Sequence, residues 1–259
     1  MKVLVLGAGK MVESILLGLI GQQDFSQWFI YSPSGLSAKK LAESIGAKYL
    51  SSLSNEKYDL IFIGCKPQQL TNLAKDFQEQ FKSSTIVSLL AAITESEQCR
   101  ILGAHKLVRV MPNLPVKFRE GVSLISSRST DTSLVREIFS KLGMAIVLEE
   151  SELEELTLLT GSGPALFYEF AQNLASSFSS LDQAEREKLV KQVLIGSAIS
   201  IKNESSALSS MIDSVTSKGG VTIAVLEGWR ELKLIDGIKK GVLRGLKRTA
   251  ELKAILLQN

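Results

Sequence analysis

The chain has 259 residues, 45% of them apolar and 22% charged, which is enough apolar content for a sizeable core and too much order-promoting content for a disordered chain. Lys plus Arg is 30 against 27 for Asp plus Glu, and a net charge of +3 excludes a nucleic-acid or polyanion binder built on bulk charge. One histidine and two cysteines, Cys65 and Cys99, with no Cys-x-x-Cys, exclude a disulfide framework and a zinc or iron cluster, so no metal site is expected and both thiols are read as reduced and cytoplasmic.

Lys2 to Leu6 is a Val/Leu run suited to a strand buried on both faces. Met11 to Ile20 then places Met11, Ile15, Leu16 and Leu19 on one helical face. Lys10 and Glu13 interrupt this apolar start and no small-residue cleavage site follows, so it is not read as a signal peptide. Trp28 to Tyr31 reads as a second strand, with Ser34 able to cap a helix that runs to Ile45 and stops at Gly46. Leu60 to Gly64 is a further strand, followed by a helix from Pro67. Thr85–Leu89, Lys106–Met111, Gly121–Ile125 and Met144–Leu148 continue the strand series, and strands alternating with helices predict a largely parallel sheet.

The pattern changes near Glu149. Glu152–Leu159, Pro164–Phe178, Asp182–Ile201 and Ala207–Val215 carry helical periodicity, and a last helix from Ile235 repeats apolar residues at Ile238, Val242, Leu246 and Ala250. Gly161 to Pro164 reads as a break in the helical pattern, with Pro164 opening a new helix. The expected organisation is α/β: a doubly wound, dinucleotide-binding domain over 1–150 and an all-helical substrate and dimerisation domain over 151–259. The apolar stripe of the last helix predicts a homodimer or larger homo-oligomer. Lys239, Lys240, Arg244 and Lys247 read as a solvated helix face, and no stretch is long enough and free enough of charge to span a membrane.

Gly7-Ala8-Gly9 closes the first strand and opens the first helix, the context of a pyrophosphate-binding turn. Gly7 allows the tight turn and Gly9 the close approach of phosphate. The third fingerprint position is Val12 where Gly or Ala is usual, which predicts a helix pushed off the strand. After the second strand no carboxylate stands ready for a ribose 2′-hydroxyl; Ser32 and Ser34 either receive a 2′-phosphate, favouring NADPH over NADH, or are plain turn residues. Arg109 and Asn113 flank a strand end, where they fix polar groups of a ligand or serve as a surface ion pair and a turn former. Ser217 to Thr222, with paired glycines before a helix beginning near Thr222, is either a carboxylate site or a simple interhelical turn.

Five segments in register resemble the pyrroline-5-carboxylate reductase family: Gly7-Ala8-Gly9-Lys10-Met11, Cys65-Lys66-Pro67-Gln68, Arg109-Val110-Met111-Pro112-Asn113, Gly161-Ser162-Gly163-Pro164-Ala165 and Val215-Thr216-Ser217-Lys218-Gly219-Gly220-Val221-Thr222. The resemblance implies a Rossmann-type domain, NADPH or NADH as cofactor, and reduction of the C=N bond of a small cyclic imino acid. It implies cofactor contacts at Gly7, Gly9, Lys10, Met11, Ser32, Ser34, Lys66, Pro67 and Asn113. It implies substrate contacts at Gly161, Ser162, Gly163, Ser217, Gly219, Gly220, Val221 and Thr222, with Thr222 as the catalytic hydrogen-bonding group. The sequence departs from the family pattern at Lys10 (Asn in the family), Ala92 (Gly), Thr160 (Ser) and Lys218 (Pro). These leave open a related reductase of another cyclic imino acid. A non-catalytic dinucleotide-binding protein is disfavoured by the retained Thr222 and loop glycines, and a β-hydroxy-acid dehydrogenase by the lack of a lysine in Gly161–Ala165.

Overall fold

The computed structural model describes residues 1–33, 35–52 and 56–257. The elements in chain order are β1 (Val3–Leu6), α1 (Lys10–Gly18), β2 (Trp28–Tyr31), α2 (Leu36–Ile45), β3 (Lys48–Tyr49), β4 (Leu60–Ile63), a 3-10 turn at Pro67–Gln69, α3 (Leu70–Asp76), α4 (Gln78–Ser83) and β5 (Thr85–Ser88). They continue with α5 (Glu95–Leu102), β6 (Leu107–Pro112), a 3-10 turn at Leu114–Phe118, β7 (Gly121–Ser126), α6 (Ser133–Ser140) and β8 (Gly143–Val147). Five helices follow: α7 (Glu150–Ser176), α8 (Gln183–Asn203), α9 (Leu208–Ser214), α10 (Val221–Glu231) and α11 (Leu234–Leu257).

Among the described residues the strands form one sheet in the order β3-β2-β1-β4-β5-β6-β7-β8. Pairing is parallel except between β6 and β7. The Asn113–Glu120 connection holds only a 3-10 turn, too short for the helical crossover a parallel return needs. Side chains alternate across the sheet: Val3, Val5 and Phe62 enter one buried cluster, and Leu4, Leu6 and Ile63 the other. Both faces are therefore covered, as the unbroken apolar runs of β1 and β4 require. Gly46 ends α2 in the left-handed conformation (φ 75°), as expected, while Gly35 rather than a serine occupies its N-cap; Ser34 lies outside the described residues.

Two expectations need correction. The Gly161–Pro164 segment does not break the helix: α7 runs on from Glu150 to Ser176 with Pro164 inside it. The second concerns Val12, expected to push α1 off β1. Val12 is 3% exposed, and the room it needs is left by Gly64 at the end of β4, where an added Cβ would lie 2.1 Å from Val12 Cγ2.

The chain divides into two compact units, Met1–Pro164 with the chain from Arg248 on, and Ala165–Lys247. The change from strands to helices falls at Glu150, earlier than the division between units, since α7 begins in the first unit. The second unit is all helical and, among the described residues, has little interior of its own: Ala175 and Val190 are buried, whereas Phe167, Tyr168, Leu189 and Val193 are more than half exposed. Such apolar area on a folded chain marks an interaction surface.

Candidate functional site

Leu6 ends β1, and the chain turns at Gly7 with φ +113°, a conformation that L side chains rarely adopt. A Cβ there would lie 2.7 Å from Gly64 O, so both backbone angle and space demand glycine. Gly9 is the N-cap of α1 and no side chain caps the helix, which leaves first-turn N–H groups without an intrahelical partner. A Cβ at Gly9 would meet nothing within 4 Å. Above this turn opens a cleft of about 390 Å³, bounded by the carboxyl ends of β1, β2 and β4, on both sides of the point where strand order reverses.

Of the expected cofactor residues, Gly7, Gly9, Ser32 and Lys66 line this cleft. Lys10 and Met11 form the first turn of α1 beneath it, and Pro67 begins the 3-10 turn leading into α3. The sequence reading missed the far wall, to which α3 contributes Asn72, Leu73 and Asp76. Asp76 is a carboxylate in the cleft that inspection of the end of β2 alone does not find. Cys65 also lines the cleft, and burial pushes its thiol up to about 11, so it stays protonated near neutral pH.

A second cavity of about 230 Å³ lies at the ends of β5 and β6, within the first unit. Ala92, Arg109 and Met111 line it, as do Gly161 and Ser162 of α7. Ala92, which stands where the family has glycine, keeps a left-handed backbone (φ 64°). Arg109 is not a surface residue: it is 1% exposed, pairs with Glu150 Oε1 at 2.8 Å, and its Nε has no partner among the described residues. The Glu95 N–H donates to the same Glu150 oxygen at 2.6 Å, and the Glu95 carboxylate accepts from the N–H groups of Arg128 and Ser129 at 2.7 and 2.8 Å. This network ties the starts of α5 and α7 to the sheet. The sequence reading missed α5, although Thr94 and Glu97 form a capping box whose Thr-x-x-Glu spacing marks a helix start.

Asn113 does not line the dinucleotide cleft. It is 7% exposed; its Nδ2 donates to Thr160 O at 3.0 Å and its Oδ1 accepts from Val122 N at 2.9 Å.

In the second unit, Gly220 N donates to Ser217 O at 2.9 Å, closing a turn with Gly219 at φ +72°. Positive φ at the third position is the signature of a type II turn, in which proline suits the second position; Lys218 sits there. A Cβ on Gly220 would lie 2.3 Å from Ser217 Oγ. Helix α10 starts at Val221, within a residue of the expected start, with Gly220 as N-cap and no side-chain cap. Val221 and Thr222 are exposed, and among the described residues the Thr222 hydroxyl has no hydrogen-bond partner. Thr222 is thus not a cap. The turn offers free backbone N–H groups, a positive helix end and a free hydroxyl, which together suit a small carboxylate.

Among the described residues no helix is long and apolar enough to cross a membrane, and no three His, Cys, Asp or Glu side chains are placed to share a metal ion. Residues 150–252 match the family model described as pyrroline-5-carboxylate reductase dimerisation, and residues 2–92 match the one described as NADP oxidoreductase coenzyme F420-dependent. The chain is 28% identical over 267 residues to a pyrroline-5-carboxylate reductase of Staphylococcus epidermidis, covering 97% of this chain and 98% of that one. A pyrroline-5-carboxylate reductase from Coxiella burnetii superposes with a TM-score of 0.88 at 22% identity, covering 97% of this chain and 98% of the other. The Plasmodium falciparum pyrroline carboxylate reductase with NADP bound gives 0.80 at 22% identity, covering 98% and 97%. Its helical part, residues 150–252, matches the dimerisation model of pyrroline-5-carboxylate reductases, and with its five motifs in register the chain is similar over nearly its full length to reductases of that family.

Proposed function

We propose that this protein reduces the C=N bond of 1-pyrroline-5-carboxylate to L-proline, with NADPH or NADH as hydride donor. Beyond these similarities, the observation that carries the reading is the uncapped start of α10, where, among the described residues, the Thr222 hydroxyl has no protein partner. The residues of the first unit fit a dinucleotide. Gly7 has no space for a side chain, the missing Cβ of Gly9 leaves open room above an uncapped helix, and the cleft is large enough for the adenosine and phosphate portion. When bound, the reduced nicotinamide supplies hydride to the C=N carbon.

The chain's own residues do the rest. The N–H groups of Gly219 and Val221, with the Ser217 hydroxyl, hold the substrate carboxylate, while Gly220, whose own N–H closes the turn onto Ser217 O, keeps the loop open to it. Thr222 hydrogen-bonds the ring nitrogen, which gains the electron pair of the broken π bond and takes up a proton to become the amine of proline. Gly161, Ser162 and Gly163 offer small contacts to the substrate. Positioning thus supplies more of the rate than a strong acid does. In the cofactor cleft, Lys66 and the turn Gly7–Met11 with Pro67 serve the dinucleotide, and Ser32, with Ser34, receives a 2′-phosphate, which favours NADPH. Asn113 stands outside that cleft.

Residues 1–150 then serve as the dinucleotide-binding domain and 151–259 as the substrate and dimerisation domain. The exposed apolar faces of α7, α8 and α11 support a homodimer or larger homo-oligomer, and the unpaired, half-buried Cys65 and Cys99 suit the cytoplasm. The small net charge supports neither a nucleic acid nor a membrane as partner. The test is NADPH and NADH oxidation by purified protein with 1-pyrroline-5-carboxylate and its six-membered ring homologue. Turnover of the five-membered substrate with kcat/KM at least about tenfold above the homologue supports the reading, and the reverse preference overturns it.

A further inference from the structure

Pro164 lies inside α7 and has no N–H to give to the carbonyl four residues before it, Thr160 O. In this chain that carbonyl is satisfied from outside the helix, by Asn113 Nδ2 at 3.0 Å. The other end of the same amide is held by the sheet, through Val122 N and Asn113 Oδ1 at 2.9 Å. Asn113 is buried, so neither bond competes freely with water, and losing one strands a buried polar group. The stretch that follows, Gly161-Ser162-Gly163, has weak helix propensity and little of its own to fix its path. Gly161 and Ser162 line the second cavity, as do Arg109 and Met111 from β6, the strand that Asn113 ends.

We propose that Asn113 is a positioning residue, and not a cofactor ligand. It bridges the hydrogen-bond gap that Pro164 opens in α7, and so fixes the helical wall of the second cavity against the end of β6. The inference rests on the imino-acid reductase reading only for its kinetic readout.

The test compares the full-length protein with Asn113→Ala, Pro164→Ala and the double variant. Each is read for NADPH dissociation constant, for kcat and KM with 1-pyrroline-5-carboxylate, and for thermal midpoint. Asn113→Ala is expected to lower kcat/KM by roughly tenfold to a hundredfold, the range for a displaced site, while the NADPH constant stays within about twofold. Pro164→Ala restores a backbone N–H that reaches Thr160 O, so the double variant regains most of the lost kcat/KM and part of the lost midpoint, the Val122 N–H remaining without its Asn113 partner. If Asn113→Ala does not fold, recovery of folding in the double variant supports the bridging role equally, and failure to recover counts against it. A rise in the NADPH constant of about tenfold or more that Pro164→Ala does not repair makes Asn113 a cofactor ligand and overturns the proposal, as does strict additivity of the two substitutions. A protein that reduces no imino acid refutes the proposed function. In that case the NADPH constants and midpoints of the four proteins still decide the role of Asn113.

Discussion

Replacing Gly64 by Ala would place a Cβ 2.1 Å from Val12 Cγ2, about half a normal carbon–carbon contact. The strand cannot give way easily, because Gly64 O already stands where a Cβ on Gly7 would be, 2.7 Å off. Overpacking of this kind costs about 1–3 kcal/mol. Val12→Ala alone removes two buried methyl groups, for about 1.6 kcal/mol at roughly 0.8 per methylene, plus whatever cavity remains. In the double variant the new methyl at 64 enters the space vacated at 12, so the two losses should fall short of their sum by about 1–2 kcal/mol. Thermal midpoints of the four proteins, at one protein concentration because the chain associates, read this as roughly 2–4 °C per kcal/mol. Additivity within about 0.5 kcal/mol would show that Gly64 is not the partner of Val12, and the account of how this turn tolerates a valine would be wrong.

Thr222→Val removes a free hydroxyl at nearly constant volume; kcat should fall about a hundredfold with little change in NADPH affinity or midpoint, and a variant with normal turnover would remove Thr222 from the mechanism. Ala92→Gly should stabilise the protein by about 0.5–1 kcal/mol. The left-handed backbone costs an alanine about 1–2 kcal/mol, and the extra freedom of glycine in the unfolded chain takes back about 0.5–1; a lower midpoint contradicts this. The Cys65 thiol, raised by burial to about 11 from an ordinary 9.0, should react with iodoacetamide slowly at pH 8, with the rate climbing toward pH 11. The sign for stability follows: the folded state holds this proton more tightly, so the contribution is complete below pH 9 and is lost as pH rises through 11. A Cys65→Ser variant whose midpoint falls as steeply as wild type over that window would assign the effect elsewhere.

Where one segment governs its own geometry, the sequence is a sufficient guide. The glycine turn after β1, the stop of α2 at Gly46, the start of α10 and the helical character beyond Glu149 are each set by neighbours a few residues away. Local pattern misleads where a distant residue supplies what it lacks. Gly161–Pro164 reads locally as a helix break, and α7 passes through it with an amide from the end of β6 on the orphaned carbonyl. Val12 reads as an obstacle only until Gly64, on another strand, is seen opposite it. Asp76 enters the dinucleotide cleft from α3, and Arg109 is withdrawn into a buried ion pair with Glu150, neither of which spacing along the chain reveals. The antiparallel β7 is also hidden in a run that resembles its parallel neighbours, though the short connection at Asn113–Glu120 bears the information.

The central claim is hydride transfer from a nicotinamide to the C=N carbon of 1-pyrroline-5-carboxylate. Incubating the purified protein with that substrate and NADPH fully deuterated at nicotinamide C4, then locating the label in the product by mass spectrometry and NMR, addresses it most directly. The account predicts L-proline bearing a single deuterium on the ring carbon next to nitrogen that carries no carboxylate. Unlabelled proline, or a cofactor that stays reduced while substrate is present in excess, would contradict it.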